Sequence, residues 1–151
     1  MAKTDSQQND EQTPFCGGTR VGVLLPVPLG KVYDYRVPDG LELRGGDFVR
    51  VPFGPRKLLG VVWGPGLGEV ASAKLKSVLH KLPAPPMAAA TRAFVDWVAG
   101  YTLSTPGQVL KMAMSVEDAL EDPKGVKVFR RAEPLPDIKL TKTRERVLAV
   151  L

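Results

Sequence analysis

Short apolar runs, broken again and again by glycine and proline, fill residues 20–65 and constrain the fold more than any other feature. Proline removes a ladder donor and glycine supplies the backbone conformations that tight bends need, so this region must be built from short strands. Arg20–Leu25 is an apolar run bounded by Gly18 and Pro26 and reads as a first strand. Lys31–Val37 alternates, with Tyr33, Tyr35 and Val37 on one face and Val32, Asp34 and Arg36 on the other. Pro38-Asp39-Gly40 and Gly45-Gly46 mark bends. Asp47–Phe53 alternates again, Val49, Val51 and Phe53 against Phe48 and Arg50. A turn at Gly54-Pro55-Arg56-Lys57 leads to a fourth strand over Leu58–Trp63, and Lys74–Leu79 supplies a fifth, in a pattern that also suits a helix.

The period changes after Pro83-Ala84-Pro85-Pro86. Met87, Ala90, Phe94, Val98 and Tyr101 recur at three- and four-residue steps, the expected buried stripe of an amphipathic helix. Thr105, Pro106 and Gln108 form a Thr-x-x-Gln capping box with proline at the first helical position, so a second helix starts there. Its Val109, Leu110 and Met112 are expected to pack on the sheet. The fold class is therefore α+β, mainly β: a small curved antiparallel sheet or partly open, OB-like barrel, followed by two packed helices.

Residues 1–18 are polar and read as a disordered leader, and 19–115 as the folded domain. Residues 116–138, with Pro123, Pro134 and Pro136, read as a linker carrying one short strand at Val126–Phe129. Residues 139–151 open a new helix, with Thr141 or Thr143 as cap. A lone helix of that length is marginal in water, so the sequence reads as part of a longer protein.

Net charge is +5 and unevenly spread. Residues 19–115 hold twelve Lys/Arg against six Asp/Glu, so the basic excess lies in the stretch that folds, where a phosphate-binding surface has to be. The single cysteine, Cys16, excludes an internal disulfide and cannot alone build a zinc site. There is no membrane span and no signal peptide, and the expected location is cytoplasmic, associated with the nucleoid.

Enzymatic signatures do not stand out. No G-x-x-x-x-G-K-[ST] loop is present to cradle ATP. Gly64-Pro-Gly-Leu-Gly68 lacks a surrounding βαβ unit and reads as a flexible surface turn. His80, the only histidine, has no nucleophile motif near it. Asp34 is the unusual acid, placed mid-strand between two tyrosines where propensity disfavours it. On the residues alone it reads as a solvent-facing strand residue that discourages edge pairing.

Leu24-Leu-Pro-Val-Pro-Leu29, Tyr33-Asp-Tyr35 with Pro38, Gly46-Asp-Phe-Val-Arg-Val-Pro-Phe-Gly54 and Leu59-Gly-Val-Val62 stand in order and at the right spacing for a known pattern. Lys74-Leu-Lys76, Trp97 with Tyr101, and Pro106-Gly107 extend it. The segment Thr19–Ser115 resembles the N-terminal DNA-binding region of the PriA (primosomal protein N′) family of replication-restart helicases. The resemblance implies a domain that holds the 3′-terminal nucleotide of a leading strand at a stalled or abandoned fork. It assigns the pocket to Tyr33, Asp34, Tyr35, the backbone at Gly54, and Lys76, with further phosphate contacts expected from Arg50, Arg56, Lys57 and Lys74. It also makes residues 139–151 the first helix of a winged-helix domain. The family's ATP, zinc, primosome-protein and single-stranded DNA-binding-protein contacts belong to regions outside this segment, so no cofactor and no catalysis are expected here.

The chemistry of those residue types suits the implied roles. A carboxylate repels phosphate but accepts a hydrogen bond from a terminal hydroxyl, so Asp34 would read the end of a strand. Aromatic rings stack on any base, glycine admits a close approach, and lysine neutralises a phosphate. On a flat strand, however, Asp34 points away from both tyrosines. A general small-barrel module for single-stranded DNA or RNA, or a protein-interaction domain, accounts equally for the basic balance and the aromatics.

Overall fold

The computed structural model describes residues 13–68, 70–120 and 141–149. Five strands form one antiparallel sheet: β1 Arg20–Leu24, β2 Tyr33–Arg36, β3 Phe48–Phe53, β4 Arg56–Pro65 and β5 His80–Lys81, in the order β2-β1-β4-β3-β5. Two helices follow, α1 Ala89–Thr102 and α2 Pro106–Ala113, and a third, α3, spans Lys142–Leu148. The architecture is α+β and mainly β, as its punctuation predicts. The leader's first twelve residues, residues 121–140 with the linker's expected strand at 126–129, and residues 150–151 lie outside the described residues, whereas the start of the linker forms a 3-10 turn over Glu117–Leu120.

Alternation sorts the side chains onto two faces. Val21, Val23, Leu25, Tyr35, Val37, Val49, Val51 and Val62 meet inside the curl of the sheet with Leu43 and Val78. Leu24, Phe48, Leu59 and Val61 point the other way and meet Val95, Ala99, Val109, Leu110 and Met114 of the helical layer. Each fully buried aliphatic side chain stabilises by about 1.5–3 kcal/mol, so both layers matter to the fold.

The curl is strong enough to bring β2 against the end of β3, although two strands separate them in the sheet. The Tyr35 hydroxyl donates to the Pro52 carbonyl at 3.1 Å, and the Tyr33 and Phe53 rings meet edge to face at 5.2 Å.

Four expectations need correction. The fifth strand is His80–Lys81, not Lys74–Leu79. Lys74 instead ends a 3-10 turn over Ser72–Lys74. The chain then serves two edges in succession. Arg36 N–H donates to the Lys76 carbonyl and Val78 N–H to the Arg36 carbonyl, after which Leu79 N–H donates to Arg50 and Leu82 N–H to Phe48. One segment thus spans from the β2 edge to the β3 edge, and its mixed pattern reflects that crossing.

The α1 stripe is only partly as expected: Met87 and Val98 pack on the core, but Ala90, Phe94 and Tyr101 do not. Val95 and Ala99 are buried, whereas Phe94, Trp97 and Tyr101 are exposed and stack along the outside. In α2, Val109 and Leu110 are buried as expected, but Met112 is exposed and Met114 takes the inner position. The capping box forms: Thr105 Oγ1 accepts from Gln108 N–H, and Thr105 N–H donates to Gln108 Oε1. Gly107 lies against the Leu25 and Val27 carbonyls, leaving no room for a Cβ.

Finally, residues 13–18 are docked rather than a loose leader. Phe15 exchanges hydrogen bonds with Leu43 and packs on the inner core, and Gly18 N–H donates to the Val37 carbonyl.

Candidate nucleic-acid interface

Some of the residues singled out by the sequence lie on β2 or on segments that meet it, and β2 is an edge strand. Its odd-numbered residues face β1 with their backbone groups, as Val37 N–H donating to the Thr19 carbonyl shows. Its even-numbered residues direct theirs outward: Arg36 bonds to Lys76 and Val78 on that side. By the same alternation the Asp34 N–H and C=O point to the outer edge. The outer edge of β2 is thus met at Arg36 by the 76–78 segment.

Three of the expected elements flank this edge. Tyr33 is half-buried, its ring bracketed by the edge of Phe53 and by the Lys31 ammonium, 5.4 Å from the ring centroid. Phe53 leads into Gly54, whose φ of 58° suits the first central position of a two-residue hairpin turn between β3 and β4. No atom lies within 4 Å of where a Gly54 Cβ would stand, so the backbone there is open to approach. Lys76 is exposed, on the segment bonded to Arg36. Arg56 and Lys57 are exposed just past the Gly54 turn, and Lys74 is exposed at the end of the 3-10 turn.

Tyr35 does not join this surface. It is only 4% exposed, and burial, with the Tyr33 phenol beside it, pushes its hydroxyl up to about 12. It is a core residue that fixes the curl through Pro52, so no base stacks on it. Arg50 is not brought to β2 either. Its sheet partners are Leu59 and His80, and its side chain takes the face opposite Val49 and Val51.

Asp34 departs most from expectation. Its side chain is 2% exposed and lies on the face away from the tyrosine rings. Arg20 Nη1 donates to Oδ2 at 3.0 Å, Leu67 N–H to Oδ1 at 2.8 Å and Gly68 N–H to Oδ2 at 2.9 Å. Burial alone would raise its pKa, but the Leu67 amide, Arg20 and the Gly68 amide outweigh it and hold the carboxyl below the usual 3.8. The Gly64–Gly68 turn is therefore pinned to an ionised aspartate. Gly66 lies so close to the Arg20 side chain that a Cβ would collide with it.

Sequence reasoning missed Arg20 and Arg36. They stand directly opposite each other across β1 and β2. Arg20 Nη2 reaches Ser72 Oγ at 3.4 Å, and Arg36 Nη2 donates to the Ser72 carbonyl at 2.8 Å. Only the strand register reveals this pairing, and no signal in the linear sequence marks it. Among the described residues no group of three or more His, Cys, Asp or Glu could hold a metal ion, and no helix is long and apolar enough to cross a membrane.

Residues 22–115 match the family described as the PriA 3′DNA-binding domain (3′BD). The chain is 38% identical over 101 residues to the replication restart protein PriA of Haemophilus influenzae, covering 64% of this chain and 14% of that protein. It is 34% identical over 106 residues to the protein of the same name from Rickettsia felis, covering 70% of this chain and 16% of that protein. A third, from Rickettsia conorii, is 32% identical over 106 residues and is covered to the same extent. The match thus spans only 14–16% of these relatives' length. Because it runs from within β1 to just past α2, through every element that builds the β2 surface, the chain belongs to the PriA 3′-DNA-binding domain family.

Proposed function

We propose that this domain binds DNA and holds the 3′-terminal nucleotide of a leading strand at the outer edge of β2, as the N-terminal part of a replication-restart helicase. The observations that support the reading are that Tyr33 on β2 packs against Phe53, which leads into the open Gly54 turn, and that the Lys76 segment bonds to the same edge strand at Arg36. Tyr33 offers a ring to whichever base arrives, Gly54 lets the sugar or phosphate approach the backbone, and Lys76 neutralises a phosphate. Tyr35 acts from below by holding the curl. Catalysis, and contacts with other primosome proteins or single-stranded DNA-binding protein, belong to other regions of such helicases.

Asp34 gives the site its preference for an end. A strand that continued past the terminal sugar would place a phosphate near an ionised carboxylate, which repels it. A terminal hydroxyl instead donates to that carboxylate. Because the Leu67 and Gly68 amides donate to it, the hydroxyl enters by replacing one of these donors, and the 66–68 turn gives way.

Competition between linear and circularised single strands of the same sequence tests the reading. The expected outcome is that linear DNA displaces a labelled 3′-ended strand far better than circular DNA does. Equal competition would replace end recognition with general single-strand binding.

A further inference from the structure

Two arginines facing each other across neighbouring strands is an arrangement that repulsion disfavours. Arg20 and Arg36 hold that position in the β1–β2 register. Among the described residues, the Asp34 carboxylate pairs with Arg20. The 3-10 turn crossing this corner adds the Ser72 hydroxyl and carbonyl, which fix the two guanidiniums. The same segment brings the exposed Lys74 and Lys76. Among the described residues, Arg20, Arg36, Lys74 and Lys76 thus lie close in the fold to the Asp34 carboxylate, beside the β2 edge.

The arrangement is organised for an anion. Ser72 accepts from Arg36 through its carbonyl and from Arg20 through its hydroxyl, so both planar guanidiniums are oriented before any ligand arrives. A guanidinium presents its donors in a fork that matches two phosphate oxygens, a geometry a lysine lacks. Arg20 also masks the Asp34 charge from that side, so an anion can approach Arg36 without meeting a bare carboxylate.

We propose that Arg36, set against Arg20 and aided by Lys74 and Lys76, forms a second anion site that takes a backbone phosphodiester of the bound DNA strand. The proposal rests on the reading that this domain binds a DNA end, and it names the group that holds the strand next to that end. Arg36 is the ligand-contacting member. Arg20 is a positioning residue, committed to Asp34 and Ser72.

The test is a titration of a labelled 3′-hydroxyl single strand at several salt concentrations, with the unmodified chain and with Arg36→Gln, Arg36→Lys and Lys111→Gln. Lys111 is exposed on α2 and serves as a control for net charge. Losing one phosphate contact on a single strand should reduce the magnitude of the slope of log K against log salt by about 0.7. The expected result is that reduction for Arg36→Gln, an unchanged slope for Lys111→Gln, and a slope retained by Arg36→Lys. An unchanged slope for Arg36→Gln, or an equal loss for Lys111→Gln, overturns the proposal.

Strands carrying one neutral methylphosphonate at each of the last three linkages provide a readout that needs no altered protein. One linkage should lower the affinity of the unmodified chain, and Arg36→Gln should add nothing to that loss. Additive losses at every linkage overturn the site. Failure of end recognition looks different: the unmodified chain would bind 3′-hydroxyl and 3′-phosphate strands alike while the Arg36 slope change persisted. Absence of any salt-dependent binding by the unmodified chain overturns both.

Discussion

The Arg20 guanidinium lies 3.0 Å from the Asp34 carboxylate, whose two oxygens also receive the Leu67 and Gly68 amides. This contact joins β1, β2 and the turn after β4 at the edge of the sheet. It makes Asp34 a structural anchor as well as the residue expected to read a DNA end.

Asp34→Ala should therefore have two separable effects. Loss of a nearly buried, charge-assisted acceptor should destabilise the domain by about 1–3 kcal/mol, seen as a lower urea midpoint. The Leu67 and Gly68 amides should lose hydrogen-exchange protection at the same time. Protection that survives in the variant would mean that the turn is held by something other than Asp34.

The anchor should also respond to acid with a defined sign. The folded-state pKa of Asp34 is lowered from 3.8, so its contribution is fully present above about pH 4 and fades as pH falls through the lower folded value. The difference in Tm between the unmodified chain and Asp34→Asn should be constant from neutral pH to about pH 5 and shrink below about pH 4. A difference that grows on acidification contradicts the assigned direction.

The two tyrosines should separate cleanly. Tyr35→Phe removes the donor to Pro52 and should cost about 1 kcal/mol of stability while leaving DNA affinity unchanged. Tyr33→Ala should weaken single-strand binding by about 1–3 kcal/mol, the range for one stacked base. Chemical denaturation and anisotropy titrations on the same two variants check both halves. Swapped phenotypes would place the base on the wrong ring.

Gly107→Ala should destabilise through overpacking, because a Cβ there runs into the Leu25 and Val27 carbonyls. A loss of about 1–3 kcal/mol is expected, with the Thr105 cap intact. An unchanged urea midpoint would show that α2 can withdraw from the Pro26–Pro28 loop at no cost.

Much of the sheet was legible because alternation is local. Tyr33, Tyr35 and Val37 on one face, and Val49, Val51 and Phe53 on one face of β3, follow from a two-residue period and hold in the structure. The Thr105 capping box was legible for the same reason, since its partners are three residues apart. What failed depended on partners distant in sequence. Residues 74–81 alternate imperfectly because they serve β2 and then β3, a division that no local pattern encodes. Of the expected stripe, Met87 and Val98 pack on the core beside Val95 and Ala99, whereas Phe94 and Tyr101 are exposed, so periodicity found the helix but placed only part of its buried face.

The site divides along the same line. Tyr33, Gly54 and Lys76 could be named from the family resemblance; Tyr33 meets Phe53 beside the Gly54 turn, and the Lys76 carbonyl accepts from Arg36 of the same strand. The burial of Tyr35, the turn clasped by Asp34 and the Arg20–Arg36 pair come from curl and register. The same long-range geometry explains why Asp34, unfavourable by propensity in mid-strand, is tolerated: an arginine and two amides satisfy it.

The central claim is that β2 holds a DNA end and not merely a strand. It is tested most directly by titrating the unmodified chain with one single-stranded DNA bearing a 3′-hydroxyl or a 3′-phosphate, at two salt concentrations. The account predicts tighter binding of the 3′-hydroxyl form at both concentrations, and loss of that preference in Asp34→Ala. Equal affinity for the two ends in the unmodified chain would contradict it.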